Sequence, residues 1–296
     1  MTLKEAFFDY LRYERGASER TVNGYAGDLK AFESFFKGLD SDLDWDNLDT
    51  DVGREWMVSM MDSGMKATTV ARRLSAIRSC YRFLLRRGLV GKDPFHNLVA
   101  PKAERPLPTF VREDDMQRLL DSDGAFDGDD RGARDRLIIE TFYQTGIRLS
   151  ELIGLDVDDV NLEQSVLRVT GKGNKQRVVP FGTKLRDSLA IYIKGSRANL
   201  ATTSETALFV SNKGRRMTSA VVWKIVSTKL ALVTDQKKRS PHVLRHTFAT
   251  TMLNHQANLE AVKELMGHER LATTEIYTHT TFEELRRVYK KAHPRA

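Results

Sequence analysis

Six of the seven histidines fall at or beyond position 242, so imidazole chemistry is concentrated near one end of the chain. His242 and His246 stand four residues apart, which can put two imidazoles on one helical face and could hold a metal ion. The surroundings argue against it: there is no H-E-x-x-H, and Arg245 places a fixed cation between the two histidines. The stretch S-P-H-V-L-R-H-T-F-A suits an anion better. Ser240 can cap a helix, Pro241 fits its first turn, and His242 and Arg245 share a face at the positive end of the helix dipole. That combination fits a phosphate. Further on, in H-E-R-L-A-T-T-E-I-Y-T-H, Tyr277 lies between His268 and His279 and reads either as a buried aromatic or as an oxygen nucleophile.

Two more cations stand in places that favour chemistry. Arg148, in T-G-I-R-L-S-E-L, follows a glycine turn from which a side chain can project into a cleft. Lys172 lies at the tip of G-K-G-N-K, between S-V-L-R-V-T and Q-R-V-V-P-F, whose alternation predicts the two strands of a hairpin. The Walker pattern G-x-x-x-x-G-K-[ST] is missing from the whole sequence, so ATP chemistry has no support. A lysine on a short hairpin is either an ordinary turn residue or a group able to reach a nucleic-acid groove and deliver a proton.

Helices must position these groups. From Leu3 to about Asn97 apolar residues recur at three- and four-residue spacing, predicting a helical bundle. The acidic run D-S-D-L-D-W-D-N-L-D-T-D reads as a solvated connection within it, with Asp and Thr suited to caps; the glycine and terminal glutamate of a calcium loop are missing. The helix T-T-V-A-R-R-L-S-A-I-R-S-C-Y-R-F-L-L-R-R-G carries an apolar stripe, ends at Gly88 as a C-cap, and presents Arg78, Arg82 and Arg86 at four-residue intervals. Lys66 to Lys92 holds eight Lys/Arg and no acid, so this strip, with Arg72 and Arg73, is either a solvated basic face or a phosphate-contacting one. A proline-rich stretch, A-P-K-A-E-R-P-L-P-T-F, predicts an extended linker. The division is 1–104, linker 105–110, and 111–296. The second region is helical apart from the hairpin, which makes the class mainly α with one small antiparallel sheet.

The totals agree with two domains: 296 residues, 41% hydrophobic, 47 Lys+Arg against 40 Asp+Glu. A net charge of +7 suits a polyanionic partner. One cysteine, Cys80, excludes an internal disulfide framework and any Cys-rich zinc site, and a reducing cytoplasm is the expected home. No apolar run approaches the ~18 residues of a membrane span.

Taken together and in order, T-G-I-R-L-S-E-L, the G-K-G-N-K hairpin, P-H-V-L-R-H-T-F-A-T and L-M-G-H-E-R-L-A-T-T-E-I-Y-T-H resemble the tyrosine site-specific recombinases, the phage integrase family. The resemblance covers essentially the whole chain, including a SAM-like helical core-binding domain. It is nearest the bacterial Xer recombinases, because the sequence starts directly with that domain and lacks an additional arm-binding domain. Met266 stands where the family more often has leucine, an apolar exchange that leaves His268 in register.

The resemblance implies Arg148 and Arg245 as phosphate clamps, Lys172 as general acid, His242 as acid/base assistant, His268 as a hydrogen-bond partner of the phosphate and Tyr277 as nucleophile. Glu151 would orient the site. It further implies a DNA breaking-rejoining catalytic fold and a 3′-phosphotyrosyl intermediate formed without metal or nucleotide. The implied partners are duplex DNA with inverted-repeat half-sites, a tetrameric synapse on two sites, a second Xer-type recombinase and an FtsK-type DNA translocase. The role would be resolution of chromosome or plasmid dimers at cell division. The apolar residues Phe282, Leu285, Val288 and Tyr289 would either pack at home or form a helix donated to a neighbouring protomer. The alternatives are a mobile-element integrase, a type IB topoisomerase and a non-enzymatic DNA-binding protein.

Overall fold

A computed structural model of the protein describes residues 2–102, 109–122, 124–267 and 279–296, with the backbone alone for Lys172 and residues 279–281. The chain forms two units, Met1–Pro106 and Leu107–Ala296. Most of the expected linker at 105–110 lies outside the described residues, as do His268 and Tyr277.

The first unit comprises helices α1 (Leu3–Asp9, continued by a π turn over Tyr10–Glu14), α2 (Glu19–Leu39), α3 (Thr50–Asp62) and α4 (Ala67–Arg86). Their apolar stripes meet around Phe32, whose ring centroid lies 4.8 Å from that of Trp56, 5.1 Å from Phe95 and 5.6 Å from Trp45. Such tilted and edge-on aromatic pairs add to the burial energy of a small core. The acidic connection departs from expectation. Asp49 caps α3 as its residue type favours, accepting from the amides of Asp51 and Val52 at 3.0 Å. The run is not merely solvated, however: Trp45 and Leu48 are buried, and the Trp45 carbonyl accepts from the Tyr81 hydroxyl at 2.9 Å. Two large apolar side chains gain more by filling the bundle than Asp46 and Asn47 between them lose by lying at its edge. Gly88 ends α4 in the left-handed region (φ +65°), with the Leu89 amide reaching back to Leu84.

The second unit is built on α6 (Asp130–Thr145), which is buried on nearly every side from Leu137 onward. Around it lie α5 (Glu113–Asp121), α7 (Leu149–Gly154), α8 (Thr183–Lys194), α9 (Ser196–Leu200), α10 (Ser219–Leu230), α11 (Pro241–Asn254), α12 (Leu259–Met266) and α13 (His279–Ala292). The expected hairpin is β2 (Val166–Thr170) against β3 (Gln176–Pro180), antiparallel, with Leu167 opposite Val179 and Val169 opposite Arg177. A third strand, β1 (Val160–Asn161), completes the order β1-β2-β3. At two residues it carries no readable alternation, so the sequence does not announce it.

Helix α13 packs on its own unit, with Leu285, Tyr289 and Ala292 against Phe248, Met252, Val262, Leu265 and Met266. The last residues secure it. Tyr289 donates to Gln144 Oε1 (3.2 Å), His293 Nε2 donates to the Tyr143 carbonyl (3.1 Å), and Arg295 pairs with Glu140 and Asp121. Within the single chain the apolar face of the tail thus packs at home, one of the two expectations: an amphipathic helix without a partner buries that face on the nearest apolar groove. Among the described residues no helix is long and apolar enough to cross a membrane.

Candidate active site

The site begins where α6 ends. Gly146 takes φ +59°, and a Cβ there would lie 2.4 Å from Cδ1 of Phe248, so only glycine both turns the chain and admits α11. Two residues later Arg148, in extended conformation, precedes the first turn of α7. Its amide donates to Glu151 Oε2 (2.8 Å) and its Nη1 to Glu151 Oε1 (3.0 Å). Its Nη2 donates to the carbonyl of Gly267 (3.0 Å), across 119 residues of sequence.

Arg245 enters from α11 and is buried, with Nη1 donating to the Gly146 carbonyl and Nη2 to that of Met266, both at 2.6 Å. Burial and then the neighbouring Arg148 lower its pKa to about 10, opposed by Glu151, so it remains a cation at neutral pH. A third arginine, Arg177 on β3, donates to both oxygens of Glu151 (2.8 and 2.9 Å) and to the carbonyl of Leu265 (3.2 Å). Three guanidinium groups from three elements thus meet the last carbonyls of α12, at Leu265, Met266 and Gly267. This is the negative end of that helix and its unsatisfied acceptors, so cations gather there at low cost. Gly267 itself is left-handed (φ +65°) and immediately precedes His268.

Glu151 holds the cluster together. Burial alone would raise its pKa, but the Arg177 hydrogen bonds and charge, followed by the amide and guanidinium of Arg148, outweigh that and hold it at about 2.

His242 sits in the first turn of α11, exposed, with its Nε2 3.1 Å from Nε2 of His246 and the two rings crossed at 73°. Partial desolvation of the side of the ring that faces the protein, then His246 and Arg245, lower the His242 pKa, which favours a neutral imidazole able to take a proton. Pro241 occupies the first turn as expected, and Ser240 the N-cap position, but the Ser240 side chain makes no capping bond. The hairpin tip is a tight 3-10 turn over Lys172–Asn174 with Gly173 and Asn174 both left-handed, closed by the Gly171 amide on the Lys175 carbonyl (2.8 Å).

The structure therefore brings together Arg148, Arg245 and Glu151 and places the Lys172 backbone on the adjoining hairpin. Sequence reasoning missed Arg177. What turns it inward is the register, which pairs it with the buried Val169 among apolar residues, where a charge requires a partner; no local pattern in the sequence states that register.

In the first unit the basic strip divides. Arg72 forms a two-point pair with the buried Asp28, and Arg73 lies 3.6 Å from the same carboxylate. Arg78 is turned inward, donating to the carbonyls of Phe95 (3.0 Å) and Leu98, so this member of the expected phosphate-contacting strip holds the bundle together instead. The Phe95 carbonyl already accepts from the Leu98 amide in a turn (3.3 Å), and the half-buried guanidinium adds a second donor there and one at Leu98. Arg86 bonds the Arg82 carbonyl and the Tyr10 hydroxyl, while Arg82 is exposed.

Residues 109–284 match the model of the phage integrase family, and residues 5–88 that of the phage integrase N-terminal SAM-like domain. The chain belongs to the phage integrase family. It is 42% identical over 295 residues to the tyrosine recombinase XerC of Mycobacterium sp. (strain KMS), the match covering 99% of this chain and 98% of that one. The figures are the same for the tyrosine recombinase XerC of Mycobacterium tuberculosis (strain ATCC 25177 / H37Ra). Among solved structures it is similar to the XerH site-specific recombinase bound to a difH substrate in a pre-cleavage complex, with TM-score 0.69, 26% identity, and coverage of 91% of this chain and 80% of that one. The Tn1549 transposon integrase in complex with circular intermediate DNA shares the fold at TM-score 0.71 and 20% identity, over 96% of this chain and 98% of that one. As a tyrosine recombinase of the Xer type, the chain is a DNA-binding enzyme that cleaves and rejoins DNA strands at specific sites.

Proposed function

We propose that this recombinase exchanges strands between two duplex sites, each with inverted-repeat half-sites, and that Tyr277 is its nucleophile. The observation that supports this reading most is the meeting of Arg148 and Arg245, from separate elements, on the carbonyls that immediately precede His268. Two cations fixed by backbone acceptors can stabilise the non-bridging oxygens of a phosphodiester as charge builds there. They supply the charge that a metal ion provides in other phosphoryl-transfer sites.

In the first step the Tyr277 oxygen bonds to phosphorus as the P–O5′ bond breaks. The tyrosyl proton passes to His242, and the electron pair leaving on O5′ is met by a proton from Lys172. His268 donates to a phosphate oxygen, and the product is a 3′-phosphotyrosyl link with a free 5′-hydroxyl. The covalent link keeps the energy of the phosphodiester, so a 5′-hydroxyl from the partner duplex reverses the step without ATP. Four protomers on two sites make the exchange reciprocal. Arg72, Arg73, Arg82 and Arg86 are the phosphate-contacting residues of the first unit. In the cell the reading is resolution of chromosome or plasmid dimers in the cytoplasm, with a second Xer-type recombinase and an FtsK-type translocase as partners.

The test is recombination between two labelled duplexes carrying the site to which the protein becomes covalently attached on its own genome. Joint molecules with exchanged flanks, formed equally well in EDTA, are expected. Relaxation of supercoils without exchange would make the chain a topoisomerase, and loss of cleavage in EDTA would end the metal-free mechanism.

A further inference from the structure

The arginine site and the Lys172 hairpin come from different elements, and a general acid is useful only if the two keep a fixed spacing. The strands of the hairpin are anchored by β1 and by Leu167, Val169 and Val179 in the core, but its left-handed, exposed tip has little of its own to fix it. The described contacts show what does. Arg177, on the returning strand, faces inward and spends its guanidinium on both Glu151 oxygens and on the Leu265 carbonyl. A Cβ built at Gly267 would lie 3.0 Å from Cζ of Arg177, so the arginine is also clasped by the turn leading to His268. At the base of the tip, a Cβ at Gly171 would stand 3.4 Å from Glu151 Oε1 and 3.9 Å from Arg177 Nη1. Lys172 thus leaves the strand beside the carboxylate that holds Arg148.

We propose that Arg177 is a positioning residue for catalysis: through Glu151 and the end of α12 it fixes the hairpin that carries Lys172 at a set distance from the phosphate clamp. A two-point guanidinium–carboxylate pair is suited to this because it fixes orientation as well as distance, which a single ammonium contact does not. The pair is buried, and its net stabilisation is expected to be small against an apolar substitute, so geometry is the property it confers. The inference rests on the assignment of Lys172 as the acid that protonates O5′.

The experiment separates the two. Single-turnover cleavage by the full chain is measured on a nicked duplex carrying the mapped site, with either oxygen or sulfur as the 5′ bridging atom. A sulfur leaving group needs little protonation. Lys172→Ala is the control, and each variant is also checked for duplex binding and thermal unfolding. Arg177→Gln is expected to slow the oxygen substrate by about a hundredfold, within the range a general acid contributes, yet to cleave the sulfur substrate within about threefold of wild type. Arg177→Lys, which retains one contact to Glu151, should fall between wild type and Arg177→Gln on oxygen, and it decides the matter if the glutamine variant does not fold. A merely structural arginine would slow both substrates alike. Equal slowing by Arg177→Gln or Arg177→Lys, with Lys172→Ala rescued by sulfur, overturns the positioning role and leaves the acid assignment intact. Failure of sulfur to rescue Lys172→Ala overturns the acid assignment and this inference with it.

Discussion

Glu151→Gln removes one negative charge from beneath two arginines while keeping the size of the side chain, and its cost can be worked out from the site. The Glu151 carboxyl is held at about 2 against an ordinary value of 4.5. At ~1.4 kcal/mol for each pKa unit, the ionised group stabilises the folded catalytic unit by about 3 kcal/mol. Glu151 is 3% exposed, so solvent does little to reduce that figure. Because the folded-state pKa is lowered, the stabilisation is fully present above the unfolded value near 4.5 and is lost as pH falls from there through about 2. The glutamine has no such dependence. His293, which burial holds at about 4 against 6.5, loses its own contribution over a higher window, between about pH 6.5 and 4, and does so equally in both proteins. The difference between them therefore isolates Glu151. Urea unfolding followed by far-UV circular dichroism measures it, with the buried Trp45 and Trp56 reporting the N-terminal transition by fluorescence in a Trp223→Phe background, since the exposed Trp223 lies in the catalytic unit, so that the two units are told apart. Wild type should exceed Glu151→Gln by about 3 kcal/mol from pH 7 to about pH 5, with the gap closing below pH 4.5. A gap under about 0.5 kcal/mol at pH 7, or one that does not change down to pH 2.5, would show that the Glu151 charge does not stabilise the catalytic unit in this way.

Gly146→Ala should cost about 2–4 kcal/mol in the catalytic unit, since it forces alanine to φ +59° and drives a methyl into the Phe248 ring; the same urea titration reads it. Arg78→Ala should lower the stability of the N-terminal unit by about 2 kcal/mol, leaving the Leu98 carbonyl without this donor and the Phe95 carbonyl with only the Leu98 amide, with little change in the salt dependence of DNA binding. Arg82→Ala should do the reverse, with unfolding unchanged and the slope of log K against log salt reduced by about one.

What the sequence could reveal was what local chemistry enforces. Gly146 had to be glycine because the chain turns left-handed there against Phe248, and that turn is what makes the arginine two residues on a candidate for a cleft. The hairpin was legible from the alternation of S-V-L-R-V-T and Q-R-V-V-P-F. The illegible parts are those decided by distant partners. Arg78 looked like one more member of a basic strip until carbonyls 17 and 20 residues away claimed it. Arg177 depends on a carboxylate 26 residues earlier and a carbonyl 88 residues later. Trp45 and Leu48 were hidden by the aspartates around them, because a count of charges does not say which side chains turn inward. The tail after Tyr277 could pack at home or on a neighbour by the same apolar face, a choice that depends on what lies beside it and not on its pattern.

In the proposed reaction Tyr277 carries the DNA during exchange. The most direct measurement is the formation of an SDS-resistant protein–DNA adduct on a nicked suicide substrate, with the attached residue identified by mass spectrometry of the nuclease-treated adduct. A nucleotide linked through its 3′-phosphate to Tyr277 is expected in the wild-type chain, with no adduct from Tyr277→Phe, which should still bind the duplex. An undiminished adduct in Tyr277→Phe, or a phosphate found on another residue, would contradict it.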